Sequence, residues 1–172
     1  MAFSKIIAES MDLTDNYAFS GTVTGAGESN TPSFFATINS QTVPHATHTV
    51  LAYNSERYDT AGAFDTSTYK FTVPSGQAGK YYFTYQVAFG SFSANQRIYL
   101  QLQVNDVQKN YHFWDNASSG DHCVQGNTVI DLSASDTVKI LCYHTHGSDK
   151  AVDTTQNGNY GVCFFGGFKV SS

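Results

Sequence analysis

An alternation of aromatic residues after Gly79 constrains the fold more than any other part of the sequence. Tyr81, Phe83 and Tyr85 occupy every second position of this segment. Alternate side chains of a β-strand lie on the same face of its sheet, so the three rings would form one aromatic ridge. A ridge of this kind must be covered by a second sheet or by another chain. The segment therefore predicts a covered strand in a layered β-protein.

Further strand-like segments follow one another without a helical period between them. Residues 97–104 alternate most clearly, and we expect Ile98, Leu100, Leu102 and Val104 to point inward and Arg97, Tyr99, Gln101 and Gln103 to point outward. Clusters of Gly, Asn and Ser separate the segments and predict turns. The pattern favours an all-β fold, a two-sheet jelly-roll sandwich. The other predicted strands are residues 33–38, 48–53, 80–89, 107–114, 123–132, 137–145 and 160–170.

The charge content excludes some classes of function. Only 13% of the residues are charged, about half the usual share, and aromatic residues reach 15%. The net charge is −5 and the nine basic residues are scattered, so we expect no nucleic-acid partner. No run approaches the roughly 20 apolar residues that span a bilayer, which argues against membrane insertion. The amino terminus also lacks the apolar core of a signal peptide.

Three cysteines, Cys123, Cys142 and Cys163, cannot all pair with one another. Unpaired cysteines are among the most buried residues, so we predict three small core side chains. A bridge between Cys142 and Cys163 stays open.

No constellation of residues indicates catalysis or a cofactor. His144 and His146 have a spacing that suits metal ligation from a strand, but no third ligand lies nearby in the sequence. No pair of carboxylates is singled out for glycoside hydrolysis, and no nucleophile elbow is present. We therefore predict no catalytic residue, no metal site and no cofactor.

Several separated landmarks together resemble the C1q domain, a trimer-forming module related to the tumour necrosis factor jelly roll. The resemblance covers about residues 33–172 and implies a homotrimer. We expect the trimer contacts to include the ridge and the last strand. The predicted interface residues are Tyr81, Phe83, Tyr85, Phe165 and Phe168. The landmarks are Phe64 and Phe71, the Gly-x-Tyr-x-Phe-x-Tyr run of residues 79–85, the trio Leu132, Asp136 and Val138, and the closing Phe165 and Phe168.

The first 30 residues differ in character from the remainder and are predicted to form an attachment segment and linker, with the jelly-roll head at residues 31–172. Residues 13–27 are similar to the opening segments of structural proteins from tailed phages, especially marine ones. That resemblance implies a virion protein that assembles in the host cytoplasm without a signal peptide and contacts other virion proteins of the capsid or tail. The apolar residues predicted to dock it are Ile6, Ile7, Met11, Leu13, Tyr17 and Phe19.

Together these observations predict a non-enzymatic virion structural protein, a trimeric fibre, knob or capsid-decorating component. One alternative is an adhesion module that binds a receptor or a host cell-surface glycan, with Trp114 as the candidate ligand contact. A second alternative is a glycan depolymerase.

Overall fold

A computed structural model describes residues 31–154 and 162–171. These residues contain no helix, and so none that could cross a membrane. Their strands are β1 (Ser33–Thr37), β2 (Thr42–Val43), β3 (Thr49–Val50), β4 (Ser55–Asp59), β5 (Phe64–Asp65), β6 (Lys70–Thr72), β7 (Gly79–Phe92), β8 (Arg97–Val104), β9 (Val107–Asp115), β10 (Gly120–Leu132), β11 (Thr137–His144), β12 (Lys150–Ala151) and β13 (Phe164–Ser171).

Two antiparallel sheets form a sandwich. The first, which we call the front sheet, has the strand order β10-β7-β13-β1-β4. The second, the back sheet, has the order β5-β6-β11-β8-β9, and β3 pairs with β11 outside that order. A small two-stranded sheet joins β12 to β2. The all-β jelly-roll sandwich predicted from the sequence is confirmed.

The space between the sheets is filled by aromatic rings. Tyr81, Phe83 and Tyr85 of β7 are completely buried, as the alternation of their segment predicted. Phe34 of the front sheet stacks on Phe71 of the back sheet, with ring centroids 5.0 Å apart. Contacts of this kind join the two layers, so the ridge is covered by the second sheet of its own chain.

The predicted strand of residues 97–104 coincides with β8, and its inward residues are all buried. The predicted strand of residues 48–53 is shorter in the structure, because the chain leaves the back sheet after Leu51, whose N–H still donates to Ile140 of β11, and crosses to the front sheet. Strand β4 was not predicted. Its sequence, Ser-Glu-Arg-Tyr-Asp, lacks an apolar alternation because it lies at a sheet edge.

Tight turns connect the strands of the sandwich. Asn105 and Asp106 join β8 to β9 and have φ values of 50° and 65°. A two-residue hairpin with both central residues at positive φ matches the twist of the strands, and Asn and Asp tolerate this conformation better than most residues. Such turns fix which side chains stand opposite each other on the outer faces.

Candidate functional site

The residues predicted as trimer contacts lie in two different environments. Tyr81, Phe83, Tyr85 and Phe165 are 0% exposed inside a single protomer, so they have no surface to offer a second chain. They point inward because β7 and β13 bury alternate residues against the back sheet. Phe168 is half-buried on the other side of the front sheet, where it contacts Tyr82 at a centroid distance of 5.5 Å. The predicted docking residues Ile6, Ile7, Met11, Leu13, Tyr17 and Phe19 lie outside the described residues.

The outer side of the front sheet, which we call the front face, is a broad surface with aromatic residues across its centre and charged residues at its margins. Its aromatic residues pack in small groups: Phe35 stacks on Tyr58 and on Phe164, with centroids 6.4 and 5.4 Å away. Tyr58 and Val129 remain 51% and 57% exposed. The apolar members of the front face are Phe35, Tyr58, Tyr82, Val129, Phe164 and Phe168.

Polar residues of the front face are mostly neutral. Thr84, Gln86, Gln125 and Asn127 occupy cross-strand positions between β7 and β10. The charged residues of this sheet lie at its margins: Lys80 and Asp131 face each other at 3.9 Å at one end, Asp121 is near the other end of β10, and Glu56 and Arg57 are exposed on the edge strand β4. The front face therefore combines exposed apolar groups with few charges to desolvate.

A second aromatic surface lies on the outer side of the back sheet, which we call the back face. The register places Phe113 of β9 beside Tyr99 of β8, and Tyr99 beside Tyr143 of β11. The ring centroids of these two pairs are 6.0 and 5.7 Å apart. His48, next to β3, continues the row with its ring 4.8 Å from that of Tyr143. The four residues form one row across the sheet, the back-face aromatic row.

Arg97 borders this row with a fixed guanidinium group. Its Nε and Nη2 atoms donate to the two carboxylate oxygens of Asp115, and its Nη1 donates to the hydroxyl of Tyr99 at 2.7 Å. The guanidinium carbon lies 5.5 Å from the Tyr99 ring centroid and 5.4 Å from that of Phe113. The hydrogen bonds from Arg97 hold the pKa of the Asp115 carboxyl below its usual value. The side chain is therefore held in place by a paired carboxylate and two rings.

Two open grooves meet at the back-face aromatic row. The larger has a volume of about 550 Å³ and the smaller about 350 Å³, and both are lined by Tyr99 and Tyr143. The larger groove is also lined by Arg97, Asp115 and Thr145. The smaller is completed by His48 and Gln101. Rings and neutral or paired polar groups thus share one surface.

The rim of the larger groove is braced by Asn116. This side chain is 3% exposed, and its Oδ1 accepts the backbone N–H of Gln96 at 2.7 Å. Its Nδ2 donates to the carbonyl oxygen atoms of Ser93 and Ser118. Two loops are joined at this point, so the groove is bordered by fixed backbone.

Trp114, the predicted ligand contact, is 51% exposed at the end of β9. It pairs with Ile98, so it follows the inward register of the strand rather than that of Phe113. It does not line either groove. Whether it contacts a ligand stays a prediction.

The back-face aromatic row was not identified from the sequence. The alternation of β8 correctly predicted that Tyr99 points outward. Nothing local indicated that Phe113 and Tyr143 stand beside it, since that depends on the register of three strands.

Three histidines, which we call the histidine cluster, join loops at one end of the sandwich. Each imidazole accepts a backbone N–H on Nδ1: His45 from Gly147 at 3.0 Å, His144 from His146 at 3.3 Å and His146 from Ser93 at 3.2 Å. The Nε2 of His144 donates to the carbonyl oxygen of Val43 at 2.9 Å, which fixes its neutral tautomer. Burial lowers the pKa of His144 and of His146. Burial and the hydrogen bonds to Nδ1 thus favour the neutral imidazole at His144 and His146.

Two of the three cysteines are buried as predicted, and one is not. Cys142 and Cys163 are buried as predicted, and burial raises the pKa of Cys163 to about 12. Cys123 is exposed, so its predicted core position is wrong: it lies on β10 beside Val124, which takes the inward position. All three thiols are unpaired.

Within residues 31–154 and 162–171, no group of three or more His, Cys, Asp or Glu side chains is placed to hold a metal ion.

Comparisons with known proteins agree with this architecture. Residues 33–170 match the family model of the C1q domain. The globular domain of zebrafish complement 1qA protein is similar in structure, with a TM-score of 0.61 and 21% identity over 81% of this chain and 98% of that one. The Eiger TNF of S. frugiperda has a TM-score of 0.52 and 13% identity over 81% of this chain and 92% of that one. Among curated proteins none matches the chain.

Proposed function

The chain belongs to the C1q domain family, and on that premise we propose that it is a homotrimeric, non-enzymatic binding module displayed on a virion. C1q domains typically form trimers, and domains of the C1q and tumour necrosis factor type are binding or structural modules. A trimer carries three copies of every surface site, so weak binding sites gain avidity.

The front face is the observation that carries the trimer proposal. Contiguous exposed apolar surface on a soluble protein marks an interaction site, and interface cores are enriched in aromatic residues and depleted of charge. The front face has both properties, with Tyr58 and Val129 more than half exposed. A ring of three subunits uses a heterologous interface, so this face would meet a different surface of the next copy.

A charge placed on the front face should prevent trimer formation. We expect Val129→Glu to shift the protein from trimer to monomer in light scattering, because burying an unpaired carboxylate is costly. Val107→Glu is the matched control, since Val107 is 56% exposed and Val129 57%, and Val107 lies on the opposite sheet. A wild-type protein that is monomeric at micromolar concentration, or a control that dissociates as readily, contradicts the proposal.

The virion setting is supported by the similarity of residues 13–27 to the opening segments of tailed-phage structural proteins. In this proposal the apolar residues Ile6, Ile7, Met11, Leu13, Tyr17 and Phe19 dock the trimer to a capsid or tail protein, and residues 31–172 form the displayed head. Assembly would take place in the host cytoplasm. The proposal covers a fibre, a knob and a capsid decoration alike.

Incorporation of the protein into phage particles tests the docking proposal separately from the trimer proposal. A chain without residues 1–30 should still form trimers but be absent from purified particles by mass spectrometry. A second variant replaces the six docking residues by serine within the full-length chain. It should also form trimers and be absent from purified particles. Particles that incorporate the shortened chain at the wild-type copy number contradict the docking proposal.

A further inference from the structure

We infer that the back face binds a neutral saccharide in the two grooves that meet at Tyr99 and Tyr143. This inference rests on the proposed role as a binding module and names its ligand class. It assigns recognition to the back-face aromatic row, and not to Trp114.

The back-face aromatic row offers exposed aromatic surface to a ligand. The rings that line the grooves are Tyr99 and Tyr143, which are half-buried, and His48, which is exposed. Phe113, 52% exposed, stands beside Tyr99 but lines neither groove. Aromatic rings set in an open groove offer apolar area at low cost in conformational entropy, and their polar atoms remain available for hydrogen bonds. The C–H faces of a sugar ring suit such a surface, because they are apolar while the hydroxyl groups at the edge are polar.

Hydrogen-bonding groups lie beside these rings. Arg97 uses three of its N–H groups on Asp115 and Tyr99, so two of its five remain for a ligand. The Tyr99 hydroxyl accepts from Arg97, which leaves its own proton to donate. The Gln101 amide in the smaller groove can both donate and accept. Vicinal hydroxyl groups, which are donors and acceptors at once, match this set.

The lining of the two grooves suits a neutral ligand. Arg97 and Asp115 neutralise each other, and the remaining lining residues are tyrosine, asparagine, glutamine, threonine, alanine and histidine. An acidic glycan or a phosphate would find no unpaired cation to bind. A neutral saccharide loses less solvation free energy on binding, since it brings no charge that must be desolvated.

The loops and side chains that border the larger groove are held in place before a ligand binds. Asn116 joins the two loops that border the larger groove, and Arg97 is immobilised on Asp115. A ligand therefore does not have to order these side chains when it binds, which reduces the entropic cost of association. The grooves also lie on the opposite side of the sandwich from the front face.

The test is a glycan array probed with the full-length trimer, carrying neutral and acidic glycans, followed by titration calorimetry with the strongest neutral ligand. We expect binding to at least one neutral glycan, with a Kd per site on the order of 1 mM. Tyr143→Ala and Tyr99→Ala should each weaken it by about tenfold or more. Tyr99→Phe should lose less than Tyr99→Ala, because the ring remains and only the hydroxyl is removed.

Val107→Ala is the control, since Val107 is 56% exposed on β9 of the same back sheet but lies outside the aromatic row and lines neither groove. Its affinity should stay within about twofold of the wild type. The inference is overturned by an array without any neutral ligand, by binding confined to acidic glycans, or by binding that survives both tyrosine-to-alanine changes. Binding that persists on deglycosylated glycoproteins would indicate a protein ligand and also overturn it. Light scattering on each variant separates these outcomes from a failure of the trimer proposal.

Discussion

At the scale of single residues, the histidine cluster couples stability to pH. Protonation of Nδ1 would remove the acceptor of a backbone N–H at each of the three rings. Burial lowers the pKa of His144 and His146, whereas an unfolded histidine titrates near 6.5. Below that pH the unfolded chain therefore binds more protons than the folded one, and the free energy of unfolding falls as the pH falls.

We accordingly expect urea unfolding to show lower stability at pH 5.5 than at pH 7.5, by at most about 1.4 kcal/mol per pH unit for each shifted histidine. His144→Gln should reduce this dependence, because the amide can still donate to the Val43 carbonyl oxygen but does not titrate. His48→Gln, an exposed histidine outside the cluster, is the control and should keep the wild-type slope. Equal stability of the wild type at the two pH values contradicts the prediction.

Gly126 is the second residue with a measurable consequence. It stands opposite Tyr85, and a Cβ atom there would lie 2.3 Å from Tyr85 Cε2 and 2.5 Å from His112 Cδ2. Because both ring atoms are packed between the sheets, Gly126→Ala should lower the free energy of unfolding by about 1–3 kcal/mol. Gly90→Ala is the control: its nearest atoms are 3.5 Å away, and it should change stability by less than about 0.5 kcal/mol. Denaturant titrations of both variants measure these free energies of unfolding. Equal stabilities of the two variants would contradict the prediction.

At the scale of elements, Asp136 ties two turns together. Its Oδ1 accepts from the Asn105 side chain at 2.7 Å and its Oδ2 from the backbone N–H of Ser133 at 2.8 Å. Asn105 in turn accepts the backbone N–H of Thr137 at 2.9 Å. The β8–β9 turn and the β10–β11 turn are thereby held side by side, which gives a physical reason for an aspartate at this landmark of the sequence.

Replacing that carboxylate should destabilise the sandwich. Asp136→Ala leaves Asn105 and Ser133 without their acceptor and should cost about 1–3 kcal/mol in thermal or urea unfolding. Asp131→Ala serves as the control, because Asp131 forms only a long, exposed ion pair with Lys80 and should contribute little. Similar losses in both variants would show that the inter-turn hydrogen bonds are not the cause.

Elements also show what could be predicted from the sequence. The direction of Tyr81 and Tyr99 follows from alternation within one strand, and both directions were correct. What covers Tyr81, and what stands beside Tyr99, depends on strands far away in the chain. The same alternation that placed the ridge therefore could not tell a partner sheet from a partner chain. Phe113 and Tyr143 became part of one row only through the register of β8, β9 and β11.

At the scale of the whole molecule, the two outer faces have different proposed roles. The front face is aromatic at its centre and keeps its charged residues at the margins, which suits permanent contact with other copies of the chain. The back face keeps its aromatic residues among fixed polar groups, which suits reversible contact with a hydrated ligand. The interior rings serve neither contact, because the two sheets cover them within one protomer.

This division makes the salt response of the trimer a test of the front face. An interface whose Lys80–Asp131 pair lies at one end gains little from charge attraction, so its dissociation should hardly change between about 0.05 and 1 M sodium chloride. Sodium sulfate should strengthen the trimer, because excluded salts favour apolar burial. Sedimentation equilibrium across both series measures this. A trimer that dissociates as sodium chloride increases must be held by charged contacts elsewhere, and the front face would then not be its main interface.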